Sequence, residues 1–154
     1  GKEFGLKMTL DHCSEGHLIA EELAKEGFPA IVGPDLSSRS KIEVQNVAFK
    51  TAGILSAAGV KVAVTTDHPV SLIQSLPICA GLCVKSGMDE DEALRAITIH
   101  AAQICNVADR VGSLEVGKDA DIVIFDGNPL EVSSEVFYTL IDGEIAYCRE
   151  KHRA

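Results

Sequence analysis

Two side chains in this sequence have the type and setting that hydrolytic chemistry needs. His12 follows the run 6–10, with apolar Leu6, Met8 and Leu10, and Asp67 follows the run 61–66, rich in β-branched residues. Both runs read as strands. Each side chain therefore falls just past a strand's C-terminal end, the edge where parallel sheets and barrels gather ligands and catalytic groups. Imidazole and carboxylate both bind divalent metals, and a carboxylate beside an activated water can take its proton. Spacing alone leaves a plainer reading open. A lone histidine at a strand end is more often a hydrogen-bonded structural residue, and aspartate before His68-Pro69 is equally a turn former. A catalytic zinc usually has three protein ligands plus water, and two candidates fall short of that.

Other polar residues rank below this pair. His68 neighbours Asp67 and could touch a substrate, although a turn position explains it as well. Arg39 lies with Ser37 and Ser38 on a polar loop at the same edge as His12, where its guanidinium could grip a substrate carboxylate with two hydrogen bonds. A solvated loop charge is the competing account. His17 falls on the helix after the first strand and reads as exposed. Cys79 and Cys83, four apart on an apolar helix, read as core packing. The acidic run 89–92 suits a helix N-terminus through the helix dipole and needs no functional explanation.

The elements that must place these residues alternate between strand and helix. Residues 6–10 read as a strand, and 15–26 as a helix with apolar residues at a period near 3.6, ended by Gly27. Residues 29–32 form a second strand and 47–58 a second helix closed by Gly59. The third strand, 61–66, holds a continuous apolar run at Val62, Ala63 and Val64, as expected where both faces are covered. Strand alternating with helix predicts a parallel α/β architecture. The rhythm then changes. Residues 70–85 read as a buried helix that Pro77 interrupts, and 90–102 as one further helix with Asp89 as N-cap. From Gly112 the pattern is β-like: a strand over 121–125, then two more over 136–141 and 144–148. Asp142-Gly143 between apolar runs is a strong hairpin signal. Three βα units are visible where a closed barrel needs eight, so the sheet either stays open or is completed by other residues.

Composition narrows the partners. A formal net charge of -9 argues against nucleic acid and against an anionic membrane surface, because both are polyanions. No apolar run approaches the length of a membrane-spanning helix, and residues 1–5 lack the apolar core of a secretion signal. The five cysteines are scattered without the spacing of a zinc ribbon or a disulfide framework, which suits reduced thiols and a cytoplasmic location.

One long motif sharpens the reading. Gly112-Ser113-Leu114-Glu115-Val116-Gly117-Lys118-Asp119-Ala120-Asp121-Ile122-Val123 closely resembles the C-terminal signature of the amidohydrolase superfamily. Phe125-Asp126-Gly127-Asn128-Pro129-Leu130, the Asp142-Gly143 hairpin and the helix at Glu92-Ala93-Leu94-Arg95-Ala96-Ile97-Thr98 resemble the same pattern. The resemblance covers about residues 6–148 and is strongest to the imidazolonepropionase-like group. It implies the C-terminal part of a metal-dependent (β/α)8 barrel over residues 1–111 and strands of a small β-sandwich over 112–154. It implies that Leu10-Asp11-His12 ends the sixth barrel strand, where histidine contacts metal or substrate. Thr65-Thr66-Asp67 would end the eighth, where aspartate binds metal and shuttles protons. The resemblance thus makes His12 and Asp67 catalytic residues and metal ligands; Arg39 and His68 stay substrate-binding candidates on their position alone. It further implies a divalent metal, with zinc preferred and iron or manganese as alternatives, and a small cyclic amide-like substrate.

The sequence departs from the family pattern in three places. No His-x-His pair matches the family's first strand, the ligands of the fourth and fifth strands have no counterpart, and Cys13 stands where glycine is more usual. His100 stands where asparagine is frequent and reads as structural. The competing expectation is a catalytically inactive half-barrel kept as a structural or self-associating module. Its exposed sheet edge and uncovered apolar face would then predict a homo-oligomer if the chain is stable alone.

Overall fold

The computed structural model, which describes residues 1–152, contains a two-stranded parallel sheet, a set of helices and a three-stranded antiparallel sheet. The first sheet pairs β1 (Ala30–Val32) in parallel with β2 (Val62–Val64), in the register Ala30↔Val62, Ile31↔Ala63, Val32↔Val64. β2 is buried along its whole length, which explains its unbroken β-branched and alanine composition. The strand expected over residues 6–10 shrinks to one parallel bridge between Leu10 and Ala30. The bond from Ile31 N–H to the Leu10 carbonyl (2.8 Å) and that from Cys13 N–H to the Ile31 carbonyl (2.9 Å) carry the pairing onward. Residues 2–4 form a 3-10 turn instead of a strand, with Phe4 and Leu6 exposed. Without a neighbour on that side, nothing satisfies the outer row of backbone groups that a longer strand would present.

Two crossovers link the parallel segments. The helix expected over 15–26 is a 3-10 turn, Gly16–Ile19, leading into α1 (Ala20–Glu26), which ends at Gly27 in the left-handed conformation. The next helix starts later than expected, as α2 (Lys50–Ala57). Beyond β2, the expected 70–85 helix begins with a 3-10 turn, Ile73–Ser75, and continues as α3 (Leu76–Lys85). Pro77 sits in the first turn of α3, where its missing N–H costs no hydrogen bond, so it opens the helix instead of interrupting it. The single helix expected over 90–102 is two: α4 (Glu90–Ala96) and α5 (Ile99–Ile104). Thr98 leaves the helical region, and its hydroxyl donates to the Leu94 carbonyl at 2.7 Å, a local alternative to the helix ladder. Asp89 caps α4 as expected, accepting from Glu92 N–H at 3.1 Å.

The core lies between the parallel sheet and this helical layer. Leu55, Val32, Val62, Thr51 and Cys83 are its largest fully buried side chains. Cys79 and Cys83 pack within it, as their spacing predicted. The second sheet is the antiparallel meander β3 (Ile122–Phe125), β4 (Val136–Ile141) and β5 (Glu144–Cys148), with Asp142 and Gly143 at the last turn. It is tied to the helices through Leu130, which joins the core. A Cβ added at Gly81 of α3 would stand 2.3 Å from the Leu130 carbonyl oxygen, so this contact requires glycine. Arg149 clamps the meander by donating to both Asp126 and Glu135. Among the described residues, no helix is long and apolar enough to cross a membrane.

Candidate active site

His12 and Asp67, far apart in sequence, meet at the C-terminal edge of the parallel sheet. Asp67 Oδ2 lies 4.0 Å from His12 Nε2, and both side chains are about half exposed to solvent. Each residue has a left-handed backbone, φ 53° at His12 and φ 49° at Asp67. Non-glycine residues rarely adopt that conformation, and it persists where surrounding bonds enforce it.

Those bonds are visible at both positions. Leu10 and Cys13 are paired to β1 on either side of His12, and Asp11 Oδ1 accepts from the His12 N–H at 2.9 Å. The His12 ring is anchored through Nδ1, 3.1 Å from the Gly33 carbonyl oxygen. Asp67 closes a tight turn: its N–H donates to Thr65 Oγ1 at 3.1 Å, and its carbonyl accepts from Val70 N–H at 2.8 Å. Ser71 Oγ donates to the Leu36 carbonyl at 3.0 Å, which ties this turn to the loop after β1.

The pair opens onto a cleft of about 470 Å³ whose walls include Ser14, Pro34, Ser38, Lys41 and Val70. A separate recess of about 500 Å³ lies along the 35–39 loop and is lined by Asp35, Arg39 and Phe49; it contains neither His12 nor Asp67. Arg39 thus lines the recess and not the cleft, and its Nη2 donates to the Val47 carbonyl at 2.9 Å. His68 is exposed beside Asp67 and does not line the cleft. The structure brings together His12 and Asp67 but neither Arg39 nor His68.

Three groups near the site gave no sequence signal. Ser14 is buried behind His12 and donates to the same Gly33 carbonyl at 3.4 Å. His17, expected to be exposed, is half-buried: its Nδ1 lies 2.8 Å from Thr51 Oγ1. Thr51 is fully buried and donates in turn to the Ser14 carbonyl at 3.1 Å. Burial, and secondarily the Lys50 charge, hold the His17 pKa below its ordinary value. Asp35 is the third: burial pushes its carboxyl up to about 6, and its Oδ1 has no hydrogen-bond partner. Cys13, which follows His12, is half-buried, and that burial together with Asp11 raises its thiol pKa. A thiol so disposed is poorly suited to act as a thiolate ligand.

Imidazole nitrogen and carboxylate oxygen are the donor chemistry a divalent ion selects, so His12 and Asp67 suit such an ion. They form a partial set. Among the described residues, no group of three or more His, Cys, Asp or Glu side chains converges on one point.

Comparison with known proteins decides the family. The pattern described as the amidohydrolase family matches residues 9–148. The chain belongs to the amidohydrolase family. It is similar to the imidazolonepropionase of Brevibacillus brevis, 52% identical over 109 residues, which cover 69% of this chain and 24% of that protein. The imidazolonepropionase of Shouchella clausii is 37% identical over 109 residues, covering 69% of this chain and 23% of that protein. Among solved structures, an amidohydrolase from Thermotoga maritima superposes with a TM-score of 0.90 at 34% identity. That match covers 96% of this chain and 39% of the other. This chain therefore spans about a quarter of the length of those two curated relatives. Its α/β fold is of the barrel type found in that superfamily.

Proposed function

We propose that this amidohydrolase chain forms the C-terminal part of a (β/α)8 barrel over residues 1–111 and strands of a β-sandwich over 112–154. The whole protein would hydrolyse a cyclic amide or a related C–N bond in a small molecule. The observation that carries this reading is the convergence of His12 Nε2 and Asp67 Oδ2 to 4.0 Å in a cleft at the sheet's C-terminal edge. The relatives named above, both imidazolonepropionases, make imidazolonepropionate the first substrate to test.

A divalent metal, zinc by preference with iron or manganese as alternatives, would be held by His12 and Asp67 together with donors from outside these residues. When bound it lowers the pKa of a water and polarises the scissile carbonyl. The residues of this chain supply the rest. Asp67 accepts the proton of the attacking water and returns it to the leaving nitrogen, so that the amine departs neutral. Its turn, pinned by Thr65 and Val70, keeps the carboxylate at one position through both transfers. His12, with Nδ1 bound to a carbonyl, offers only Nε2 to the cleft. Pro34 and Val70 give the cleft an apolar flank.

The test is Asp67→Asn in the protein that carries these residues. Asparagine keeps the shape and removes the basic oxygen, so kcat should fall by about two to four orders of magnitude, the span of acid–base catalysis. A rate near wild type would refute the role given to Asp67.

A second reading has its own observation. Leu18, Ile19, Ile42, Leu72 and Ile73 are exposed, and the parallel sheet has only two strands among the described residues. As a structural or self-associating module, the chain would cover those surfaces with another copy of itself. Sedimentation of the 154-residue chain as a compact, cooperative monomer would refute that homo-oligomer.

A further inference from the structure

The His12 ring is fixed from behind by a backbone atom. We infer that the Gly33 carbonyl is the positioning group of the site: it locks His12 as the Nδ1–H tautomer and leaves the Nε2 lone pair free at the cleft, where a cation could share it with Asp67. The inference rests on the reading of His12 as a site residue, and it assigns the orienting role to a position that no side chain could fill.

A neutral imidazole has one donor and one acceptor nitrogen, and the partner of one decides the state of the other. A carbonyl oxygen can only accept. With His12 Nδ1 3.1 Å from Gly33 O, a neutral ring carries its proton on Nδ1 against the pull of two carboxylates at the other nitrogen, Asp11 Oδ2 at 3.8 Å and Asp67 Oδ2 at 4.0 Å from Nε2. Histidines that serve as ligands commonly need such a partner on the far nitrogen to hold ring angle and basicity.

The placement of that carbonyl depends on glycine twice. Gly33 has φ +125°, a conformation that L side chains rarely adopt. A Cβ there would also stand 2.3 Å from the Thr65 carbonyl oxygen, at the end of the neighbouring strand β2. Gly33 therefore lets the chain after β1 press against the start of the Asp67 turn, and its carbonyl is aimed by that approach. The oxygen's second lone pair is taken by Ser14 Oγ at a longer 3.4 Å. Ser14 is itself held through its carbonyl by the buried Thr51 hydroxyl, so the carbonyl and the backbone beside His12 are braced from the α2 side.

The tautomer can be read without substrate or metal. The full chain is prepared with 15N-labelled histidine rings, and two-bond 15N–1H correlations are recorded at a pH where imidazole is neutral. His12 is assigned by the signals lost in His12→Gln. The expected result is a protonated, pyrrole-type Nδ1 and an unprotonated, pyridine-type Nε2. Gly33→Ala should abolish that preference and shift both nitrogens toward averaged values, whereas Ser14→Ala should leave it in place. A wild-type His12 in the Nε2–H form overturns the inference whether or not Gly33→Ala folds. So does loss of the tautomer in Ser14→Ala, which would show that the glycine-set carbonyl does not hold the ring by itself. An Nδ1–H tautomer in a protein that hydrolyses no cyclic amide would overturn the proposed function and leave this inference standing. Hydrolysis with an Nε2–H ring would do the reverse.

Discussion

Replacing Asp35 by asparagine should stabilise this protein at alkaline pH and bring no gain, or a small loss, in acid. Asp35 follows β1 by three residues, inside the bend that separates the site cleft from the neighbouring recess. Its Oδ1 is buried without a partner, and burial moves its pKa from 3.8 to about 6. The charge is also felt by Cys79 and Cys83, whose thiols Asp35 helps to push up. The folded pKa lies above the unfolded one, so the fold favours the protonated carboxyl. Below about pH 3.8 both states are protonated and nothing is lost. As pH rises from 3.8 through about 6, the unfolded chain sheds its proton first and stability falls. Above that window the loss levels off. At about 1.4 kcal/mol per pKa unit, the move from 3.8 to about 6 sets a ceiling of about 3 kcal/mol. Asparagine removes the charge but brings its own unsatisfied amide, at a cost of about 1 kcal/mol or more. A net gain of about 1–2 kcal/mol at pH 8 is expected, vanishing or reversing near pH 3.5. Urea unfolding followed by circular dichroism at both pH values measures the difference directly. A variant equal to or weaker than wild type at pH 8, or a gap that does not depend on pH, would refute the reasoning.

Three further outcomes can be checked on the same chain. Thr51→Val keeps the buried shape but strands the Ser14 carbonyl and the His17 ring nitrogen, so unfolding should show a loss of about 1–3 kcal/mol, largely restored by Thr51→Ser. Asp89→Ala removes the α4 cap and should cost about 1 kcal/mol in the same assay, with little effect on cleft chemistry. Thiol titration at pH 8 should label the exposed Cys105 quickly and spare Cys83, whose pKa is pushed up to about 12 chiefly by burial; rapid labelling of Cys83 in the native protein would contradict the packing.

Much of the architecture was legible from local pattern. The apolar runs of β1, β2 and the β3–β5 meander carry their own periodicity, and Gly27, Asp89 and Asp142-Gly143 mark ends and turns by backbone chemistry that needs no distant partner. Gly112–Val123 carried the family signal because a long run of specific residues is informative before it folds. His12 and Asp67 stood out because strand ends in a parallel sheet converge.

What sequence left open depended on contacts between distant residues. Residues 6–9 look like a strand, but strand formation needs a neighbour, and only Leu10 finds one in Ala30. The break at Thr98 turns on a hydroxyl choosing a carbonyl one helical turn back, an option that helix propensity does not reveal. Nothing local marks His17 as the partner of Thr51, or Asp35 as a carboxyl stranded without a donor. Nor does anything local place Arg39 along the 35–39 recess, with one guanidinium nitrogen on the Val47 carbonyl. Periodicity and turn chemistry are properties of neighbouring residues, so they survive in the unfolded chain and can be read from it. The orientation of His12 belongs to another class: it exists only once β1 and β2 approach closely enough for Gly33 to sit against Thr65.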